Sequence, residues 1–319
     1  MKTPLVALAA LLLAGCTLHY RESYLVSPQP TPAPELEALR ADFPGHGFEE
    51  QRIGVPGASL YALAMTRPDA RATVLYFGGN GFRIGRWIRH SAPAWGELPV
   101  DVVFVDHRGY GASTGEPGIG ALMDDAVAVY DHVAAWSAGR GRPVIVHGQS
   151  LGSFMAGRVA AERRLDGLVL ESSATTTEEW VEYQRSRLPW WQRLWIRRVS
   201  VPGSLAGQGN LAVAPRLDEP VLFLVGEDDS ATPPDFSRRL HEATALPEAC
   251  KRLVVVPGRG HNDATRSPAF VEAMADFIGE VARDVAYACD NARGGAGQTV
   301  ASPLAGAEES PGSTGHGAR

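Results

Sequence analysis

Short, unbroken apolar runs recur along the chain, separated by longer stretches of mixed polarity. The runs are Ala72–Phe77, Val102–Val105, Pro143–His147, Leu168–Leu170, Val221–Val225 and Leu253–Val256. They are rich in β-branched residues and bounded by glycine, proline or aspartate, as strands covered on both faces are. Between them the period changes. Within Gly120–Trp136, Leu122, Ala126, Val129 and Val133 stand near helical spacing, and Ser267–Val281 reads as a closing helix. Glu49–Val55 and Ser59–Met65 predict a hairpin turned at Pro56-Gly57. Strands alternating with helices predict a doubly wound, mainly parallel α/β sheet. Such sheets place ligands at the carboxyl ends of their strands.

The two ends depart from this pattern. Met1-Lys2-Thr3 gives a short positive start, followed by an apolar run from Pro4 to Leu12 and then Leu13-Ala14-Gly15-Cys16. The run is too short to span a bilayer, which takes ~20 residues. The segment resembles a bacterial lipoprotein signal, which implies removal of residues 1–15 and acyl chains on Cys16. An ordinary secretory signal with a chance cysteine is the alternative. Thr17 stands where an aspartate commonly retains lipoproteins in the inner membrane, so the resemblance favours an outer membrane where there are two. Ser27–Pro34 alternates prolines with other residues. Such a stretch favours an extended spacer, and residues 16–34 are expected to tether the domain away from the membrane. The folded domain is expected over residues 35–290. From 291 to 319 the chain turns rich in Gly, Ala, Ser, Thr and Pro, a composition that predicts disorder.

At 319 residues and 45% apolar content, the chain suffices for one large α/β domain. The net charge of −6 and the lack of a dominant basic block argue against a nucleic-acid partner. No metal-ligand spacing and no phosphate-binding glycine loop appears, so no cofactor is expected.

The chemistry centres on Val144–Gly152, in which three β-branched residues run into Gly148-Gln149-Ser150-Leu151-Gly152, and Ser153–Ala160 reads as a helix. A serine hydroxyl is a weak nucleophile. At the apex of a strand–turn–helix it stands clear of the sheet, where a histidine can take its proton and an N–H can receive an oxyanion. The alternative is a plain turn.

Asp106-His107-Arg108-Gly109-Tyr110-Gly111-Ala112-Ser113-Thr114-Gly115-Glu116-Pro117 follows the Val102 strand. With this loop, residues 50 to 280 resemble the α/β-hydrolases, in the branch of monoacylglycerol-lipase-like and depalmitoylase-like serine hydrolases. The resemblance implies that fold with a helical cap insertion, and it implies that the Asp106–Pro117 loop is scaffolding. It implies an acid in Val225–Pro233, where the branch pattern Gly-x-x-Asp-x-x-Val-Pro selects Asp229, with Thr232 in the valine place. Asp228 and Glu227 are adjacent competitors, and Glu171 is a more remote one. The histidine is expected after the last strand, at His261 in Pro257–Asp263, whereas His90, His132 and His241 read as surface or packing residues. The oxyanion is expected on the N–H of Leu151 and that of Asn80 in Gly78-Gly79-Asn80-Gly81, with Gly79 as the alternative. Relatives commonly carry histidine where Gly78 stands.

The cap is expected over residues 173–215. It holds Trp180, Trp190, Trp191 and Trp195, with Arg185, Arg187, Arg193, Arg197 and Arg198 around them. It reads either as a helix packed on the core or as an amphipathic element that meets a membrane or an acyl chain. Cys250 and Cys289 form an even pair once Cys16 is acylated, and an oxidising compartment favours a bridge. Two separate thiols remain the alternative. The expected function is a lipid-anchored serine hydrolase of esters or thioesters. A peptidase of the same fold is the runner-up, and an inactive envelope binding or scaffold lipoprotein is the reading from another class. The oligomeric state is left open.

Overall fold

The computed structural model describes residues 16–283 and Cys289. The expected signal, residues 1–15, and the expected disordered tail, residues 291–319, lie outside the described residues. The chain begins with strand β1 (Cys16–His19) and helix α1 (Leu36–Asp42), then the hairpin β2 (Gly47–Val55) and β3 (Ala58–Thr66). Next come β4 (Ala72–Phe77), α2 (Ile84–Gly96), β5 (Val100–Val105), α3 (Ile119–Ala138) and β6 (Val144–Gln149). After these follow α4 (Leu151–Glu162), β7 (Gly167–Glu171), α5 (Thr177–Ser186), α6 (Trp190–Trp195) and β8 (Ile196–Ser200). The last elements are β9 (Val221–Gly226), α7 (Pro234–Ala243), β10 (Lys251–Val256) and α8 (Pro268–Val281).

Eight strands form one sheet in the order β10-β9-β7-β6-β4-β5-β3-β2. The hairpin joins antiparallel at the edge through β3 and β5, and the other pairings are parallel. Strand periodicity explains the two layers around it. On β4, Leu75 and Phe77 join the layer containing Leu122, Val129 and Val133 of α3 and Met155 of α4. Their neighbours Val74 and Tyr76 join the opposite layer, with Ile88 and Trp95 of α2 and Phe270 and Phe277 of α8. A strand that buries both faces needs apolar residues at every position, which is the pattern in the sequence.

Two expectations change. Residues 16–34 are not a free spacer. Strand β1 pairs in parallel with β8, Cys16 opposite Ile196 and His19 opposite Ser200. Val26 is buried, the Thr31 N–H donates to the Gly111 carbonyl at 2.9 Å, and the Gly111 N–H donates to the Gln29 carbonyl at 3.1 Å. The physical reason lies in the alternation itself. Pro28, Pro30 and Pro32 donate nothing, but Gln29 and Thr31 between them offer a carbonyl and an N–H to a neighbouring loop. The cap, in turn, is not wholly helical, since α5 and α6 are followed by β8. Cys250 and Cys289 are joined by a disulfide, with Cα atoms 5.8 Å apart.

Candidate active site

Ser150 sits between β6 and α4 with φ 53° and ψ −116°, a conformation that non-glycine residues rarely adopt. The turn is fixed from both sides. The Ser150 N–H donates to the Glu171 carbonyl at 2.9 Å, and a Cβ at Gly152 would strike the Phe77 carbonyl. A strained turn held this way lifts the hydroxyl above the sheet.

The loops after β9 and β10 bring Asp229 and His261 to it. Ser150 Oγ lies 2.8 Å from His261 Nε2, and His261 Nδ1 lies 2.9 Å from Asp229 Oδ2. Asp229 is buried, and its Oδ1 accepts the N–H groups of Ala231 and Thr232, each at 2.9 Å. Burial pushes this carboxyl up. The hydrogen bond and charge of His261, with the Thr232 N–H, more than offset that and hold it below the usual aspartate range. An anionic acid behind Nδ1 leaves Nε2 free to take a proton from the serine.

The competing acids stand elsewhere. Glu227 and Asp228 are exposed, and Glu227 accepts the Gly258 N–H at 3.0 Å. Glu171 is buried against His147, 2.8 Å from its Nε2. The Asp106–Pro117 loop holds structure together. Asp106 accepts the N–H groups of Ile84 and Ala112, and Arg108 pairs with Asp125 through two hydrogen bonds.

Leu151 is the first residue of α4, where N–H groups have no intrahelical acceptor. It lines the same cavity as Gly79, Asn80, Ser150 and His261. A Cβ at Gly79 would press on Gln149 and lie 3.2 Å from the Ser150 Cβ, so glycine lets this loop reach the nucleophile. The Asn80 side chain accepts from the Tyr110 hydroxyl at 3.0 Å and from the Ser27 N–H at 3.1 Å. At Gly78 the ring of Phe82 occupies the space a side chain would need, and the Gly78 carbonyl accepts a hydrogen bond from His107 Nε2 at 2.7 Å.

The cavity holds about 230 Å³. Its apolar walls are Leu25, Phe154, Ala174 and Trp180, with Tyr24 beside them. Trp180 is oriented by its Nε1–H, which donates to the Ala231 carbonyl at 3.0 Å. Four residues have roles here that the sequence does not show. Tyr24 and Leu25 come from the supposed spacer. Gln149 donates to the His261 carbonyl at 3.1 Å and so ties the histidine loop to the nucleophile strand. The Thr232 hydroxyl lies 2.9 Å from Asp229 Oδ2 and 3.1 Å from His261 Nδ1. The neighbouring Ser150 motif gives no sign of Gln149's role, and only position marks Thr232. Among the described residues no cluster of His, Cys, Asp or Glu stands ready to hold a metal ion.

A family model described as serine aminopeptidase, S33 matches residues 68–212, and one described as TAP-like protein matches residues 200–287. The uncharacterized protein Rv2307c of Mycobacterium tuberculosis is 30% identical over 287 residues, 88% of this chain and 95% of that one. Protein bem46 of Schizosaccharomyces pombe is 27% identical over 224 residues, 70% of this chain and 72% of that one. Human alpha/beta hydrolase domain-containing protein 17B is 26% identical over 221 residues, 67% of this chain and 68% of that one. Among solved structures, a Pyrococcus furiosus esterase superposes with a TM-score of 0.57 at 16% identity, covering 82% of this chain and 97% of its own. The sheet order, the serine turn after β6 and a relative matched over nearly its whole length together show that the chain belongs to the α/β-hydrolase superfamily.

Proposed function

We propose that the protein is a serine hydrolase of carboxylic esters or thioesters, in the lipase- and depalmitoylase-like branch of its superfamily. The observation that carries this reading is the relay of 2.8 Å and 2.9 Å from Ser150 through His261 to Asp229, at the wall of an apolar cavity. Ser150 Oγ attacks the substrate carbonyl and its proton passes to His261 Nε2. The oxyanion is held by the N–H groups of Leu151 and Asn80. Asp229 stabilises the imidazolium through Nδ1–H. The imidazolium returns the proton to the leaving alkoxide or thiolate, and the acyl group stays on Ser150. Water then attacks, giving its proton to Nε2, and the carboxylic acid departs as Ser150 regains its hydrogen.

The cavity favours an acyl substrate. A free amino terminus, as an aminopeptidase requires, is best held by a carboxylate. Among the described residues that line this cavity none is aspartate or glutamate. Amide cleavage is the second reading, and the description of the matched family model supports it. The sequence of residues 1–16 supports export to a bacterial envelope and acylation of Cys16, which is exposed and carries no disulfide. Among the described residues no helix is long and apolar enough to cross a membrane.

The test is labelling with a fluorophosphonate, followed by a series of esters of increasing acyl length. The wild type is expected to label at Ser150, and Ser150→Ala to lose labelling and about 10⁶-fold in turnover. Labelling that survives Ser150→Ala, or faster cleavage of aminoacyl amides than of esters, overturns the reading.

A further inference from the structure

Among the described residues the large apolar side chains left exposed are Leu18, Tyr24, Trp190, Trp191, Leu194 and Trp195, each between 41% and 68% accessible. They come from two segments far apart in sequence. Leu18 belongs to β1 and Tyr24 lies just beyond it, and the others belong to α6, which runs directly into β8. The pairing of β1 with β8 brings these segments side by side, with Cys16 opposite the residue that follows Trp195. Soluble surfaces scatter their exposed apolar residues, and a gathered set marks a binding face.

We propose that this face, formed by β1, Tyr24 and α6, docks on an anionic lipid bilayer. Three observations identify the occupant. First, tryptophan and arginine dominate it, and both carry an apolar body with a polar end suited to a headgroup layer. Second, the stretch Arg185–Arg198 holds five arginines and no acidic residue, within a chain of net charge −6. Such a local reversal of sign draws the face toward anionic headgroups. Arg193 and Arg198 are exposed within it. Third, Cys16 pairs with Ile196, the residue after Trp195, and in sequence it follows the apolar run Pro4–Leu12. An acyl group on Cys16 is therefore joined to the chain at this face.

The face also adjoins the catalytic cavity. Tyr24 is exposed and lines that cavity, and an edge-to-face chain runs from Tyr24 through Tyr20 to Trp180, with ring centroids 5.2 and 5.7 Å apart. Docking therefore holds the cavity wall at the bilayer.

The test uses the full chain reconstituted in vesicles of phosphatidylglycerol and phosphatidylethanolamine whose acyl chains carry bromine, a contact quencher of tryptophan. The wild type is expected to be quenched, and the triple variant Trp190→Phe, Trp191→Phe, Trp195→Phe to lose that quenching. Quenching is also expected to fall when phosphatidylcholine replaces the anionic lipid. With Arg193→Gln and Arg198→Gln the affinity for anionic vesicles is expected to weaken about fivefold per arginine. Unchanged thermal unfolding in each variant shows that the fold is kept. An unquenched wild type, equal quenching of the triple variant, or dimers that form through this face without quenching overturn the proposal. None of these readouts requires turnover, so loss of hydrolase activity alone leaves it standing.

Discussion

At the scale of single residues, Asp229 is set apart from Asp228 by burial and bonding rather than by chemistry. Both are aspartates in one loop, but Asp229 alone reaches His261 and accepts two N–H groups, whereas Asp228 is exposed. Asp229→Asn presents an amide to Nδ1, which favours the wrong tautomer and removes the charge that stabilises the imidazolium. Activity is expected to fall about 10⁴-fold, and Asp228→Asn to change it little. Steady-state kinetics on one ester decide this, and the reverse ranking moves the acid to Asp228. Ser150 was legible because its turn is a local device written in five consecutive residues. Asp229 and His261 were legible only through the resemblance, which states the loops in which they stand. Gln149 carries no local mark of its bond, and Thr232 is marked only by its place three residues after Asp229. Their partner in the histidine loop is 112 and 29 residues away in sequence, and only folding brings it to them.

At the scale of elements, the buried strands were the most legible part, since each needs apolar residues on both faces and leaves an unbroken run. The β1–β8 pair was not legible. It joins two short segments roughly 180 residues apart through backbone bonds, which impose no apolar pattern on exposed positions. The disulfide belongs to this scale. It links the turn before β10 to Cys289, beyond the end of α8, across a sequence separation of 39. Closing a loop of that length is expected to stabilise by about 4 kcal/mol in the chain-entropy model. The double variant Cys250→Ser, Cys289→Ser is therefore expected to unfold at a lower denaturant midpoint. Its turnover below that midpoint should stay near wild type, because Ser150, Asp229 and His261 are anchored by bonds that do not involve either cysteine. An unchanged midpoint counts against a bridge in the mature protein, and lost turnover in the folded variant shows that the staple also sets the His261 loop.

At the scale of the whole molecule, the architecture followed from the order of its parts, but the relation of the N-terminal segment to the domain did not. Read as a spacer, residues 16–34 separate anchor from catalysis. In the structure they pack onto the catalytic cavity instead, since Tyr24 and Leu25 wall it and the Ser27 N–H bonds Asn80 in the proposed oxyanion loop. This sharpens the prediction about Cys16. One acyl chain gives only marginal, reversible membrane binding, so stable attachment needs more chains or a second contact. A lipoprotein cysteine carries several chains, and the α6 face supplies a contact of its own. In cells fed an azide-bearing fatty acid, the wild type is expected to take up the label and to resist extraction by high salt. Cys16→Ser is expected to carry no label. Its residual membrane association should be electrostatic, falling as salt screens the arginines of the cap. Label that persists on Cys16→Ser places the acyl group on another residue. An unlabelled wild type removes the lipoprotein reading altogether, and leaves the serine chemistry and the bilayer face to stand on their own measurements.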